Sequence, residues 1–459
     1  MNLQKAVNHE TQASAFNSSR RNFLKIGGAT LLAGGLSNAL ALQNAGAFDR
    51  LSEIRAQASG PINEGYWKFI RAQFPLEQGL IYMNNGTEGS IPRFVLSRIG
   101  EYFKEFAKNP WHAGVDDEYY NYFMGTTISD VAAFLGANAD EIALTMNTTE
   151  GMSFIANGLD LQAGDEVLST LHEHEAGTSG WYIKEDRQHI KFTQLVLPTP
   201  AATKEEIISA FENAITPATK VMSFCHINYT TGLRMPVKEL CLLARQHGIV
   251  SVVDGAHAIG MLTFDLHDLG CDFYACSPHK WLCAPPGTGV LYIRKDAQGL
   301  LWPTSSLLYT KGKGIGADTT TLIFRGQMCT PAYKCLKDVI EFQSAIGRDR
   351  IQNRILELSS YLKGEIIKNW GADKIFSPLE ESLSSGLVSF NPFADRFQPD
   401  PVKNVFYKLK DEHKIVIRRL WYKERLSERN THTLRVSTQI YNNYSDIDIL
   451  IAAIKEIIA

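Results

Sequence analysis

Two stretches, SVVDGAHAIG at 251–260 and ACSPHKWLCAPPGTGVLYIR at 275–294, hold the residue types that a reacting site needs. The first is an apolar run ending in Asp254, with His257 three residues further on. Ligands of open α/β sheets bind outside the carboxyl ends of the strands, so Asp254 would project into a site and not into a core. A carboxylate there suits a cationic ring nitrogen, whose charge it stabilises. The second run reaches Cys276 and then presents Ser277, His279 and Lys280 in quick succession. Serine and histidine can donate hydrogen bonds to a phosphate. Lys280 is a candidate nucleophilic amine, because a partly desolvated lysine among positive neighbours has a lowered pKa and can form a Schiff base.

Taken singly, an Asp at a strand end is a turn residue and a lone Lys a solvated one. Together they specify an anionic partner for a pyridinium, a Schiff-base lysine and phosphate donors, which is the demand list of pyridoxal 5'-phosphate. A further phosphate cradle lies in MNTTEGMSF (146–154), where Thr148 and Thr149 open a helix after a strand. Hydroxyls and backbone N–H groups at a helix N-terminus bind phosphate through hydrogen bonds and the helix dipole. LHEHEAG (171–177) offers a rival chemistry, since His172, Glu173, His174 and Glu175 are all metal-ligand types. Side chains alternate along a strand, so at most two of the four would converge. In the cofactor reading one of these histidines lies flat over the ring.

The elements that must position these groups alternate. EIALT, DEVLST, KVMSFCHI, IVSVVDGA, CDFYACS and GVLYIR read as buried strands, with amphipathic helices between them. Met152, Ile155, Ala156 and Leu159 fall on one helical face, as do Val237, Leu240, Cys241 and Ala244 between Pro236 and Gly248. Such alternation predicts a mainly parallel sheet covered on both faces. After about residue 330 a long helical stretch leads into an α+β region closed by SDIDILIAAIKEII, where Ser445 and Asp448 suit a capping box and Ile447, Leu450, Ile451 and Ile454 form a buried stripe. The expected division is a large α/β domain over 81–330 and a smaller α+β domain over 331–459, preceded by an N-terminal segment over 48–80.

Residues 1–47 read as an address label. SRRNFLK (19–25) places Arg20 and Arg21 before a Gly-rich apolar run, followed by small-x-small cleavage candidates at 39–41 and 45–47. This is the layout of a twin-arginine export signal, whose cargo leaves the cell already folded and often loaded with a cofactor. The expected location is the periplasm, with the twin-arginine machinery as partner. A net charge of −3 gives no reason to expect nucleic acid or an anionic membrane. Seven cysteines, without a C-x-x-C pair, are too few and too irregular for a disulfide framework.

The run from DGAHA through SPHKW to PPGTGVLYIR resembles the class V aminotransferase superfamily of fold-type I pyridoxal phosphate enzymes, with isopenicillin N epimerase-like proteins nearer than cysteine desulfurases. The resemblance implies that Lys280 holds the cofactor as a Schiff base, Asp254 pairs with the ring nitrogen, and His257 sits near the ring's phenolic oxygen. It also implies that His174 stacks on the ring, and that Thr148, Thr149, Ser277 and His279 hold the phosphate. In LRVSTQIYNN (434–443), Arg435 matches the arginine that grips a substrate α-carboxylate. A homodimer with shared sites is implied as well, with Gly326-Gln327 where the family often has Gly-Thr. Two departures stand out. IVIRRLWYKERLSERN lacks the nucleophilic Cys of desulfurases, which argues against sulfur transfer, and Tyr229 stands where desulfurases place an Asn, with Asn228 one position earlier. The expected enzyme works at the α-carbon of an amino acid or peptide-like metabolite, with epimerase, transaminase and β-lyase outcomes open. Tailoring of a peptide siderophore outside the cytoplasm would fit such a cargo.

Overall fold

A computed structural model describes residues 50–111, 117–201, 203–305, 319, 326–423 and 429–459. Residues 1–47, expected to form an export signal, and residues 112–116 lie outside the described residues.

The apolar runs form seven strands of one sheet: β2 (Ile142–Thr145), β3 (Glu166–Thr170), β4 (Lys191–Leu195), β5 (Thr219–Cys225), β6 (Val250–Asp254), β7 (Phe273–Cys276) and β8 (Gly289–Ile293). Their order is β2-β8-β7-β6-β5-β3-β4, and only β8 runs against the rest. The alternation of side chains along a strand sorts these runs onto two faces. Leu144, Met222, Phe224, Val253, Tyr274 and Val290 enter one core, while Ala143, Val221, Val252, Phe273, Ala275 and Leu291 enter another on the opposite face. Helices cover both, so the expected doubly covered, mainly parallel α/β sheet is the fold. β4 escaped the sequence reading because KFTQL is a half-exposed edge strand without a continuous apolar run.

A second sheet is antiparallel and three-stranded, in the order β11 (Arg418–Lys423), β12 (Asn430–Ser437), β9 (Leu387–Phe390). Two short parallel strands, β1 (Ile81–Tyr82) and β10 (Ile415–Val416), pair beside it. Leu434 and Val436 of β12 pack into a core with helices Arg348–Trp370, Pro399–Asp411 and Tyr444–Ile458. Arg435, between them, therefore points to the other face.

Two local expectations are corrected. The long helical stretch after 330 is two helices, Thr330–Ile346 and Arg348–Trp370, broken at Gly347, whose φ of +103° no ordinary helical residue adopts. The last helix starts earlier than Ser445. Asn443 is its cap and Asp446 completes the box, with Asp446 N–H donating to Asn443 Oδ1 at 2.9 Å. Asn caps as well as Ser, and the Arg71 guanidinium donating to Asp446 Oδ2 at 2.6 Å anchors that register.

Candidate active site

Because β2, β3, β5, β6 and β7 run the same way, their carboxyl ends share one edge of the sheet, and a cavity of about 260 Å³ opens there. Its wall contains all nine residues singled out from the sequence: Asp254, His257, Ser277, His279 and Lys280, then Thr148, Thr149, His174 and Arg435. Residues as far apart in the chain as Thr148 and Arg435 meet because strand ends from the large sheet face β12 of the small one.

The floor is built around Asp254. It ends β6, accepts the Ala256 N–H at 2.9 Å, and burial pushes its carboxyl pKa up. Gly177 leaves room above it, since a Cβ there would stand 3.2 Å from Asp254 Oδ2. A buried carboxylate approached so closely calls for a cationic partner.

Lys280 lies beside it. Burial lowers its amine to about 8, against the nearby Asp254 charge, and Arg435 pushes it the same way as burial. His257 stands 3.4 Å away through Nε2, and its Nδ1 accepts the Trp281 indole N–H at 3.2 Å. An indole can only donate, so the neutral ring carries its proton on Nε2 and offers it to Lys280 Nζ. Burial holds His257 well below its ordinary pKa, which keeps it neutral. That arrangement favours an uncharged, nucleophilic Lys280.

The phosphate end is equally specific. Asn147, not a threonine, caps helix Thr148–Gly158 by accepting the Glu150 N–H at 3.0 Å. Thr148 is thus freed for the cavity, where its N–H donates to Ser277 Oγ at 3.1 Å and the two hydroxyls lie 2.7 Å apart. His279 approaches Thr288 O through Nδ1 at 3.3 Å, and burial lowers its pKa. A helix N-terminus, two threonines and a serine make a donor set that fits a phosphate, and His279, whose Nδ1–H is turned to Thr288 O, adds a second donor at Nε2 only when protonated.

The four LHEHE side chains diverge. His172 is buried against Tyr422, with Nε2 3.0 Å from Lys423 O. Glu173 is buried and accepts the Thr170 hydroxyl at 2.7 Å. Only His174 reaches the cavity, where it meets the Tyr229 ring edge-on at 4.8 Å, while Glu175 is exposed. Among the described residues no cluster of three or more His, Cys, Asp or Glu could hold a metal ion.

Arg435 closes the far side. Its guanidinium donates to Tyr229 O at 2.9 Å and Thr87 Oγ1 at 3.3 Å, and its buried Nε has no partner. Asn228 is resolved as a loop organiser: its Oδ1 accepts from Thr230 and Thr231, and its amide donates to His172 O at 2.8 Å. Tyr229 faces the cavity. Sequence reasoning passed over Gly86, Thr87, Cys225, Arg418 and Leu420, which also line it. The glycines of NNGTEG were the one available signal for the first two.

Fold and donor set together define a fold-type I pyridoxal-phosphate enzyme. The chain belongs to the class V aminotransferases, a pyridoxal-phosphate-dependent family whose sequence model matches residues 81–450. It is 28% identical over 409 residues to the isopenicillin N epimerase of Amycolatopsis lactamdurans, spanning 85% of this chain and 98% of that one. It is 29% identical over 336 residues to the isopenicillin N epimerase of Streptomyces clavuligerus, covering 71% and 84%. Among solved structures, the apo cysteine desulfurase of Thermococcus onnurineus NA1 superposes with a TM-score of 0.72 at 23% identity, covering 84% and 97% of the two chains.

Proposed function

We propose that this is an exported enzyme that uses pyridoxal phosphate to act at the α-carbon of an amino acid or peptide-like metabolite, with epimerase or transaminase outcome. The observation that carries the reading is the single cavity in which a depressed lysine, a buried Asp, phosphate donors and Arg435 meet. The epimerase relatives span nearly the whole chain and support the same reading. The twin-arginine pattern supports passage to the periplasm, and the family resemblance supports a homodimer with shared sites, although Gly326-Gln327 departs from the family's Gly-Thr.

Thr148, Thr149, Ser277 and His279 would hold the phosphate, Asp254 the ring nitrogen and Lys280 the aldehyde carbon. When bound, pyridoxal phosphate supplies a ring that withdraws electrons from the α-carbon. Asp254 keeps a proton on the ring nitrogen. Arg435 grips the α-carboxylate and orients the α-hydrogen. Lys280 Nζ, released by the incoming amine, takes that proton and can return it. With His257 and His174 neutral, the proton on Lys280 is governed by burial and Arg435, which favour its loss, against Asp254, which favours its retention.

The test is the visible spectrum of the purified protein and of Lys280→Ala, before and after borohydride, with solvent-deuterium exchange into added amino acids. A band that borohydride bleaches and the variant lacks, together with α-deuteration, is expected. A colourless protein that takes up no added pyridoxal phosphate would sink the reading.

A further inference from the structure

We propose that the substrate carries a second carboxylate besides its α-carboxylate, and that Arg418 receives it; this deepens the functional reading above and rests on it. Arg418 and Arg435 are register partners across β11 and β12, and both line the cavity. Residues directly opposite on antiparallel strands share a face, with Cβ atoms roughly 4.5–5.5 Å apart, and like charges so placed repel. The repulsion reaches Arg435, which Arg418 pushes down in pKa beyond the effect of burial.

Among the described residues no carboxylate relieves it, and Arg418 is left facing solvent. Arg435 donates only to neutral oxygens, and Arg418 has no carboxylate partner among the described residues. Asp254 is the one carboxylate lining the cavity among the described residues, against Lys280, Arg418 and Arg435 as cations. In the proposed reading Asp254 is committed to the ring nitrogen, Lys280 to the cofactor and Arg435 to the α-carboxylate. The phosphate falls to the cluster of Thr148 and Ser277, which hydrogen-bond to each other. One guanidinium fork is left over, and its planar pair of donors matches a carboxylate. Leu420, two residues along β11 on the same face, lines the cavity as well. It supplies an apolar strip for the methylene groups that separate two carboxylates.

The experiment titrates pyridoxal-phosphate-loaded enzyme with L-aspartate, L-glutamate and L-2-aminoadipate, and with L-asparagine and L-glutamine, following the cofactor band and the heat of binding. The best diacid should bind roughly tenfold tighter than the amides, as expected for one charge-assisted hydrogen-bonded pair. The gap should close in Arg418→Gln through loss of diacid affinity, and Arg418→Lys should recover part of it. Absence of the gap, a gap that survives Arg418→Gln, or no binding of any diacid to enzyme that shows the cofactor band would each overturn the inference. So would loss of cofactor from Arg418→Gln, which would assign Arg418 to the phosphate. Wild-type protein with no cofactor band at all would instead overturn the functional reading, and this inference with it.

Discussion

The floor of the cavity and its outer wall are built on different principles. The floor comes from the strand ends of the large sheet, where Asp254 and Lys280 sit 26 residues apart in one continuous stretch of chain. The wall comes from β11 and β12 of the small sheet, whose arginines join the site only through the fold. The floor is buried, and its histidines are held neutral by desolvation. The wall is cationic and waits for an anion. In the proposed reading a fixed cofactor is thus served by a local motif, while substrate recognition falls to a separate sheet that can change without disturbing the chemistry.

Breaking the floor should cost the most. Asp254→Asn keeps the size of the side chain and its acceptor for the Ala256 N–H, but removes the charge that holds a proton on the ring nitrogen. Turnover should fall by roughly 10³-fold or more, the scale of losing a preorganised electrostatic group. Cofactor should still bind. Steady-state rates on the loaded variant check this, and retention of more than about a tenth of the activity would show that the floor does not work through charge.

Breaking the wall should leave a different signature. Arg435→Gln removes a bidentate grip that the α-carboxylate would feel before and during reaction alike, so KM should rise by roughly 10²-fold with a smaller change in kcat. An equal loss in kcat and kcat/KM would move Arg435 from recognition into catalysis. Smaller still is Ser277→Ala, which takes away the oxygen met by both the N–H and the hydroxyl of Thr148. Cofactor affinity should drop about tenfold, and excess pyridoxal phosphate should restore activity.

The same contrast explains what the sequence made legible. Six of the seven large-sheet strands announced themselves as apolar runs, and the site residues they carry follow those runs directly. Arg418 did not, because the alternation that aims it inward in RRLWYK is set by pairing with β12, which no local pattern encodes. In the LHEHE stretch alternation allows at most two of four ligand-type residues to converge, and the structure brings one, because the chain leaves its strand at Thr170 and enters a helix capped by His174. The last helix starts a few residues before its expected cap because neighbouring polar residues cap almost equally well, as Asn443 shows.

One buried acid outside the cavity, near enough to Asp254 to feel its charge, has no part in recognition and gives the most selective probe of the floor. Glu173 is pushed by burial to about 7 from an ordinary 4.5, with the Thr170 hydroxyl opposing and the Asp254 charge adding to the rise. The folded protein therefore keeps a proton that the unfolded chain releases above about 4.5. Stability from this group is present below that pH, and is lost as pH climbs toward 7. Glu173→Gln can still accept the Thr170 hydroxyl but cannot ionise. Turnover with saturating substrate should change by less than about threefold, since Glu173 touches neither cofactor nor substrate. Thermal denaturation should separate the two proteins by pH: near-equal melting at pH 4 to 5, and a variant more stable by a few degrees at pH 8, scaled to roughly 3 kcal/mol at most. A gap that does not widen with pH would mean that Glu173 ionises freely, and that the floor beneath Asp254 is wetter than its packing indicates.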